Sequence, residues 1–191
     1  MNLSWEETVF CAVDTETTGV NPEDGDRIIE VAMVPIFKGR LILNKAFATL
    51  VNPNIGISYG SQKVHKIGVE LLERAPSMRE VFPKVRYYLK NMIAVFHNGN
   101  FDLTFLDFAA KEVGELPIDV TYLDTQDMAS EIFGEKKSLE WLAKKFSLTD
   151  RINHRALDDA IVTAKVFLKL AKNLGWENLG KFLKKWKGST I

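Results

Sequence analysis

The chain has 191 residues, 46% hydrophobic and 26% charged, which excludes a disordered chain and suits one ordinary domain, 1–191, with a single sizeable core. Lys+Arg and Asp+Glu both number 25, so global charge does not point to a nucleic-acid partner, although charge can still be segregated locally. The single cysteine, Cys11, rules out an intramolecular disulfide and a cysteine zinc site and reads as a small buried apolar residue.

The first seven residues carry neither a basic start nor an apolar h-region, and no apolar stretch approaches bilayer-spanning length. An intracellular, cytoplasmic protein without a membrane partner is expected. The run 8–13 reads as a buried strand, and Asn21 to Asp26 as a turn-rich loop. Strands over 27–37 and 41–51 follow, joined as a hairpin at Lys38-Gly39-Arg40. Short helical turns are expected around Gln62-Lys63-Val64-His65, then helices over 68–74 and 77–91, with Pro83 tolerated in a first turn. Met92 to Phe96 is an unbroken apolar run suited to a central strand. A helix over 101–113 stops at Gly114, a short strand spans 119–123, and helices cover 125–133, 138–146, 156–174 and 176–187, Ser138 acting as an N-cap. The order implies an α/β domain: a mixed sheet whose first three strands are antiparallel, flanked by helices.

Val13-Asp14-Thr15-Glu16-Thr17-Thr18-Gly19 ends the first strand. Asp14 and Glu16 are two residues apart and project to one face. Such a pair repels itself and resists desolvation, which a divalent cation such as magnesium or manganese would relieve. A chance acidic pair in a strand-end turn satisfies this segment equally well.

Other acidic residues fall where an apolar stripe is expected. Asp102 shares its helix face with Leu106, Ala109 and Val113, just after the polar loop His97-Asn98-Gly99-Asn100. A solvated helix start or a helix-dipole partner would account for it as well as a functional group would. Asp158 aligns with Lys165, Lys169 and Lys172 on a solvated stripe, whereas Asp159 aligns with Val162, Val166 and Leu170. An unpaired carboxylate there would cost kilocalories, so Asp159 requires a counter-charge and is the functional one of the two. His154 precedes that helix and suits a proton acceptor near neutral pH; His65 and His97 are explained by packing or hydrogen bonding.

Asp14-Thr15-Glu16, then His97-Asn98-Gly99-Asn100-Phe101-Asp102, then His154-Arg155-Ala156-Leu157-Asp158-Asp159-Ala160, in that order, resemble the DEDDh branch of the DnaQ-like 3′–5′ exonucleases. Arg27-Ile28-Ile29-Glu30-Val31, Val51-Asn52-Pro53, Val64-His65-Lys66-Ile67 and Ser138-Leu139-Glu140-Trp141-Leu142-Ala143 support the resemblance, which covers about residues 8–171. It implies an RNase H-like fold and two-metal phosphodiester hydrolysis from a 3′ end, releasing nucleoside 5′-monophosphates. It also implies that Asp14, Glu16 and Asp159 hold the metal carrying the attacking water, that Asp14 and Asp102 hold a second, and that His154 is the general base. By the same resemblance Thr17, Thr18, His65 and Phe101 face the terminal nucleotide, and Arg155 reaches a phosphate or is a surface arginine.

The segment 175–188 lies beyond that core. Leu179, Phe182, Leu183 and Trp186 recur at helical spacing among lysines, implying an amphipathic helix that closes the domain, with a DNA- or partner-binding arm as the alternative. A single-stranded or frayed 3′ end of DNA is the expected partner, with proofreading or repair as the role and a DNA polymerase subunit as a candidate associate. RNA-directed exonuclease activity is the alternative within the class. A catalytically silent binding module is the alternative outside it, disfavoured because all five positions are filled.

Overall fold

The computed structural model describes residues 7–55, 67–149 and 151–188. Its centre is β1 (Phe10–Thr17), flanked by β2 (Ile28–Phe37) running antiparallel and β5 (Ile93–Phe96) running parallel. β3 (Arg40–Leu41) and β4 (Phe47–Leu50) both pair antiparallel with β2. β6 (Asp119–Asp124) lies parallel beside β5, and β7 (Lys184–Lys187) closes the edge antiparallel to β6. The result is a mixed seven-stranded sheet. Around it lie α1 (Val69–Glu73), α2 (Met78–Asn91), α3 (Gly99–Glu112), α4 (Thr125–Phe133), α5 (Leu139–Lys145) and α6 (Ala156–Leu174). Among the described residues no helix is long and apolar enough to cross a membrane.

Strand alternation divides the core in two. Cys11 and Val13 face Phe82 and Val85 of α2 and Leu103 and Leu106 of α3. Phe10 and Ala12 face Val166, Phe167 and Leu170 of α6, with α4 and α5 beside it. The central strands are therefore buried on both faces, which accounts for the unbroken apolar run of β5. By the same period of two, Asp14 and Glu16 leave β1 toward α6, and Thr15 leaves it toward α3.

Local chemistry sets the ends. Lys38 and Gly39 both have positive φ (49° and 70°), the backbone of a two-residue hairpin turn whose twist matches the strands. Ser77 and Glu80 form a reciprocal capping box on α2. Ser138 caps α5 by accepting the Trp141 N–H at 3.2 Å, as its position suggests. Gly114 (φ 74°) lies just past the end of α3.

Three elements differ from expectation. The strand over 41–51 is broken into β3, a 3₁₀ turn at Leu43–Lys45, and β4. Pro35 accepts from the Ile42 N–H at 2.8 Å but has no N–H to return, so the ladder stops there. Pro83 is the sixth residue of α2, beyond its first turn; Arg79, whose carbonyl loses that partner, is exposed to water. The third difference is at the C-terminus: the helix expected over 176–187 is a 3₁₀ segment, Trp176–Phe182, followed by β7. Leu179, Phe182 and Leu183 pack into the α6-side core. Trp186 packs on the other face, and the 184–187 backbone satisfies the β6 edge, so an amphipathic helix over 175–188 would forfeit both. The helical turns expected around Gln62 to His65 lie outside the described residues.

Candidate active site

The end of β1 is shaped by a register irregularity between Glu16 and Thr17, of the kind that re-aims side chains beside sites. The following loop is fastened from within. Thr18 Oγ1 donates to Asp26 Oδ1 at 3.2 Å and accepts the Arg27 N–H at 2.9 Å. Thr17 Oγ1 donates to the Gly19 carbonyl at 2.5 Å. Gly19 packs so close to the Asp26 carboxylate that a Cβ would displace it from the Thr18 hydroxyl and the Asn21 N–H that it accepts. Both threonine hydroxyls thus hold the loop's own shape.

Asp102 enters from the first turn of α3, whose N-cap Asn98 is left-handed (φ 67°). Asp124, at the end of β6, accepts the Asn98 and Gly99 N–H groups at 3.1 and 2.8 Å and the Gln126 N–H at 2.9 Å, so one carboxylate ties together the starts of α3 and α4. Asp102 is buried, and its Oδ1 accepts both the Thr15 N–H (2.9 Å) and the Thr15 hydroxyl (2.7 Å). The middle residue of Asp14-Thr15-Glu16 therefore positions the third carboxylate.

Asp159 comes from the first turn of α6 and is 5% exposed. Its Oδ1 is buried without a hydrogen-bond partner. Donor atoms of Glu16, His154 and Asp159 lie within 4.8 Å of one another. His154 is exposed and left-handed (φ 52°), a conformation that only a surrounding structure sustains for a non-glycine residue. Asp158 is exposed and accepts from Asn153 Nδ2 at 2.9 Å, consistent with the solvated stripe.

The electrostatics record carboxylates crowded away from water. Burial, then Asp102, Asp159, Glu16 and Glu30, hold Asp14 well above the usual carboxylate range. Glu16 is pushed up to about 8 by burial and then by Asp159, Glu30 and Asp102, with Arg155 opposing. Asp102 rises to about 7 through burial, against the hydrogen bonds from Thr15. Asp159 rises to about 6 through burial, moderated by His154 and nearby backbone amides. Glu16, Asp159 and His154 thus form one cluster, and Asp14 and Asp102 bear on it electrostatically. Each carboxylate would be relieved by a cation, and a set of carboxylate oxygens suits a hard divalent ion.

The remaining expected residues are placed less centrally. Phe101 is half-buried and tilted against Phe105 at 5.1 Å. Arg155 grips Glu30 through Nε (3.0 Å) and Nη2 (2.8 Å). His65 lies outside the described residues. His97, half-buried with Nδ1 2.8 Å from Thr125 Oγ1 and lowered to about 4 by loss of water around it, is structural. Glu30 and Asp124 were missed as site residues. The same test that found Asp159, an acid inside an apolar run, also picks out Glu30 in Ile28-Ile29-Glu30-Val31.

The exonuclease family model, of the RNase T type, matches residues 11–167. The PolC-type DNA polymerase III of Thermotoga petrophila is 38% identical over 170 residues, covering 88% of this chain and 12% of the relative. The DNA polymerase III subunit epsilon of Treponema pallidum is 32% identical, covering 91% of this chain and 81% of that one. This chain therefore spans about an eighth of the PolC-type relative and most of the epsilon subunit. Exonuclease X, solved with a 5′-overhanging duplex DNA, superimposes with a TM-score of 0.70 at 26% identity, covering 87% of this chain and 93% of that chain. The acidic motifs, the mixed sheet that gathers them and these likenesses agree: the chain belongs to the exonuclease family and has its RNase H-like fold.

Proposed function

We propose that this chain is a divalent-cation-dependent exonuclease of the DEDDh type that removes nucleotides from the 3′ end of a DNA strand and releases nucleoside 5′-monophosphates. The observation that carries the proposal is the cluster of Glu16, His154 and Asp159, whose donor atoms lie within 4.8 Å of one another, together with a buried Asp159 Oδ1 that has no hydrogen-bond partner. Asp14, Glu16 and Asp159 would hold one ion, and Asp14 with Asp102 a second. Bound there, Mg²⁺ or Mn²⁺ would neutralise charge on the phosphodiester oxygens and acidify a water.

The chain's own groups do the rest. Thr15 locks Asp102 through two hydrogen bonds to one oxygen, so the second ion's carboxylate is fixed before substrate arrives. His154, solvent-exposed at the mouth of the cluster, takes the proton from the attacking water, and imidazole is the side chain suited to that transfer at neutral pH. The internally fastened 17–19 loop presents its backbone to the terminal nucleotide. The Phe101 ring offers a stacking surface for an unpaired base. Arg155 acts through Glu30 more than on phosphate, because two of its nitrogens are already engaged. The polymerase III names of the relatives support a proofreading role beside a polymerase subunit.

The test is hydrolysis of single-stranded DNA and matched RNA with magnesium, with manganese and with chelator, resolved at single-nucleotide steps. Metal-dependent laddering of DNA is expected. Strong preference for RNA would reassign the substrate, and intact strands with metal bound would overturn the reading.

A further inference from the structure

Resting on that reading of the site, we infer that Glu30 is a positioning residue for it: the side chain clamps the first turn of α6 so that His154 and Asp159 face Glu16. Glu30 sits on β2 directly opposite Glu16 in the β1–β2 register and is 4% exposed. Like charges directly opposite on a sheet repel, and a buried glutamate needs a partner. The partners come from a point 125 residues away in sequence. Glu30 Oε2 accepts Arg155 Nε–H (3.0 Å) and the Ala156 backbone N–H (3.0 Å), and Oε1 accepts Arg155 Nη2–H (2.8 Å).

These bonds fall on both sides of a mechanical junction. Arg155 is the N-cap of α6, and its carbonyl accepts the Asp159 N–H at 3.0 Å. Ala156 is the first helical residue, and its N–H is one of the donors a helix start leaves unpaired. His154, immediately before the clamp, holds the left-handed φ of 52°. Glu30 therefore fixes the residue after His154 and the turn that carries Asp159, and it does so from the strand next to Glu16. Arg155 pairs with Glu30, so the carboxylate is held as a tether even though its charge still bears on Asp14 and Glu16.

The test pairs Glu30→Gln, which cannot accept the whole fork, with Glu30→Asp, which keeps the charge on a shorter arm. Each is placed also in a His154→Ala background. The chain has three histidines, so the His154 imidazole is assignable by NMR, and its broadening by sub-stoichiometric Mn²⁺ reports its distance from the bound ion without any turnover. Glu30→Gln is expected to retain Mn²⁺ affinity within about threefold and to weaken the His154 broadening. It should also lower kcat with KM little changed, on the order of 10²-fold, the scale of a 1 Å misplacement. Glu30→Asp should fall between it and the wild type. In the His154→Ala background the Glu30→Gln loss in kcat should shrink to a few-fold, as for residues acting as a unit. Unchanged broadening and kcat would overturn the inference, as would an Mn²⁺ affinity lost as fully as in Asp159→Asn, which would make Glu30 a ligand. Were the wild type to hydrolyse nothing, the broadening alone would still decide for or against the clamp.

Discussion

Replacing Asp159 by Asn should make the metal-free protein more stable at pH 8 while destroying its metal site. Asp159 is 5% exposed with one oxygen unpartnered, and burial raises it from 3.8 to about 6. Below the unfolded value both states are protonated and no penalty exists; the penalty grows as pH rises past 3.8 and is complete above about 6. A gap of about two units at ~1.4 kcal/mol each makes ionised Asp159 a cost of about 3 kcal/mol. Domains of this size move by ~2–4 °C per kcal/mol, so the ceiling is ~10 °C, and relaxation around the carboxylate should leave about half. The assay is thermal melting of wild type and Asp159→Asn in chelator at pH 8 and pH 4, repeated with excess Mg²⁺. The variant should melt about 3–6 °C higher at pH 8, with little difference at pH 4, and Mg²⁺ should raise the wild type by more than the variant. A variant melting below wild type at pH 8, or stabilised equally by Mg²⁺, would refute the claim that Asp159 is a buried, only partly compensated carboxylate suited to a cation.

Neighbouring positions should behave differently. Asp14→Ala should abolish turnover in a folded protein, whereas Asp158→Asn, on an exposed side chain that accepts from Asn153 Nδ2, should stay within about twofold of wild-type kcat/KM, as surface changes do; equal losses would break the distinction between the two faces. His154→Ala should lower kcat at saturating metal by about 10²–10⁴-fold, the range of general-base catalysis, with Mn²⁺ binding retained in a calorimetric titration. Leu179→Ala, at a fully buried site of the C-terminal 3₁₀ segment, should cost about 3 kcal/mol in urea unfolding; a loss under about 0.5 kcal/mol would mean that this segment does not close the core.

Most of this site could be read from the chain because carboxylates are conspicuous on apolar stripes. Asp159 stood out against Val162, Val166 and Leu170, and the structure buries it while leaving Asp158 in water. Glu30 stands out as an acid in an apolar run, but its role depends on Arg155, and nothing local connects strand β2 with a helix start more than a hundred residues later. Thr15 leaves no such mark, because it points to the opposite face of β1 from Asp14 and Glu16, where it holds Asp102. The C-terminus misled for a different reason. The spacing of Leu179, Phe182, Leu183 and Trp186 fits a helix, but it fits equally a tight turn followed by a strand. The open edge of β6, a feature of the tertiary fold, selects the second. Likewise the break at Leu43–Lys45 follows from Pro35 on the partner strand, outside the segment it interrupts.

The most direct test of the central claim is release of a labelled terminal nucleotide. Single-stranded DNA labelled at the 3′ end and, separately, at the 5′ end would be incubated in Mg²⁺ with wild type and with Asp159→Asn. The account predicts immediate loss of the 3′ label as a nucleoside 5′-monophosphate, a stepwise shortening 5′-labelled ladder, and neither product with the variant. Release from the 5′ end first, internal cuts, or equal activity of Asp159→Asn would contradict it.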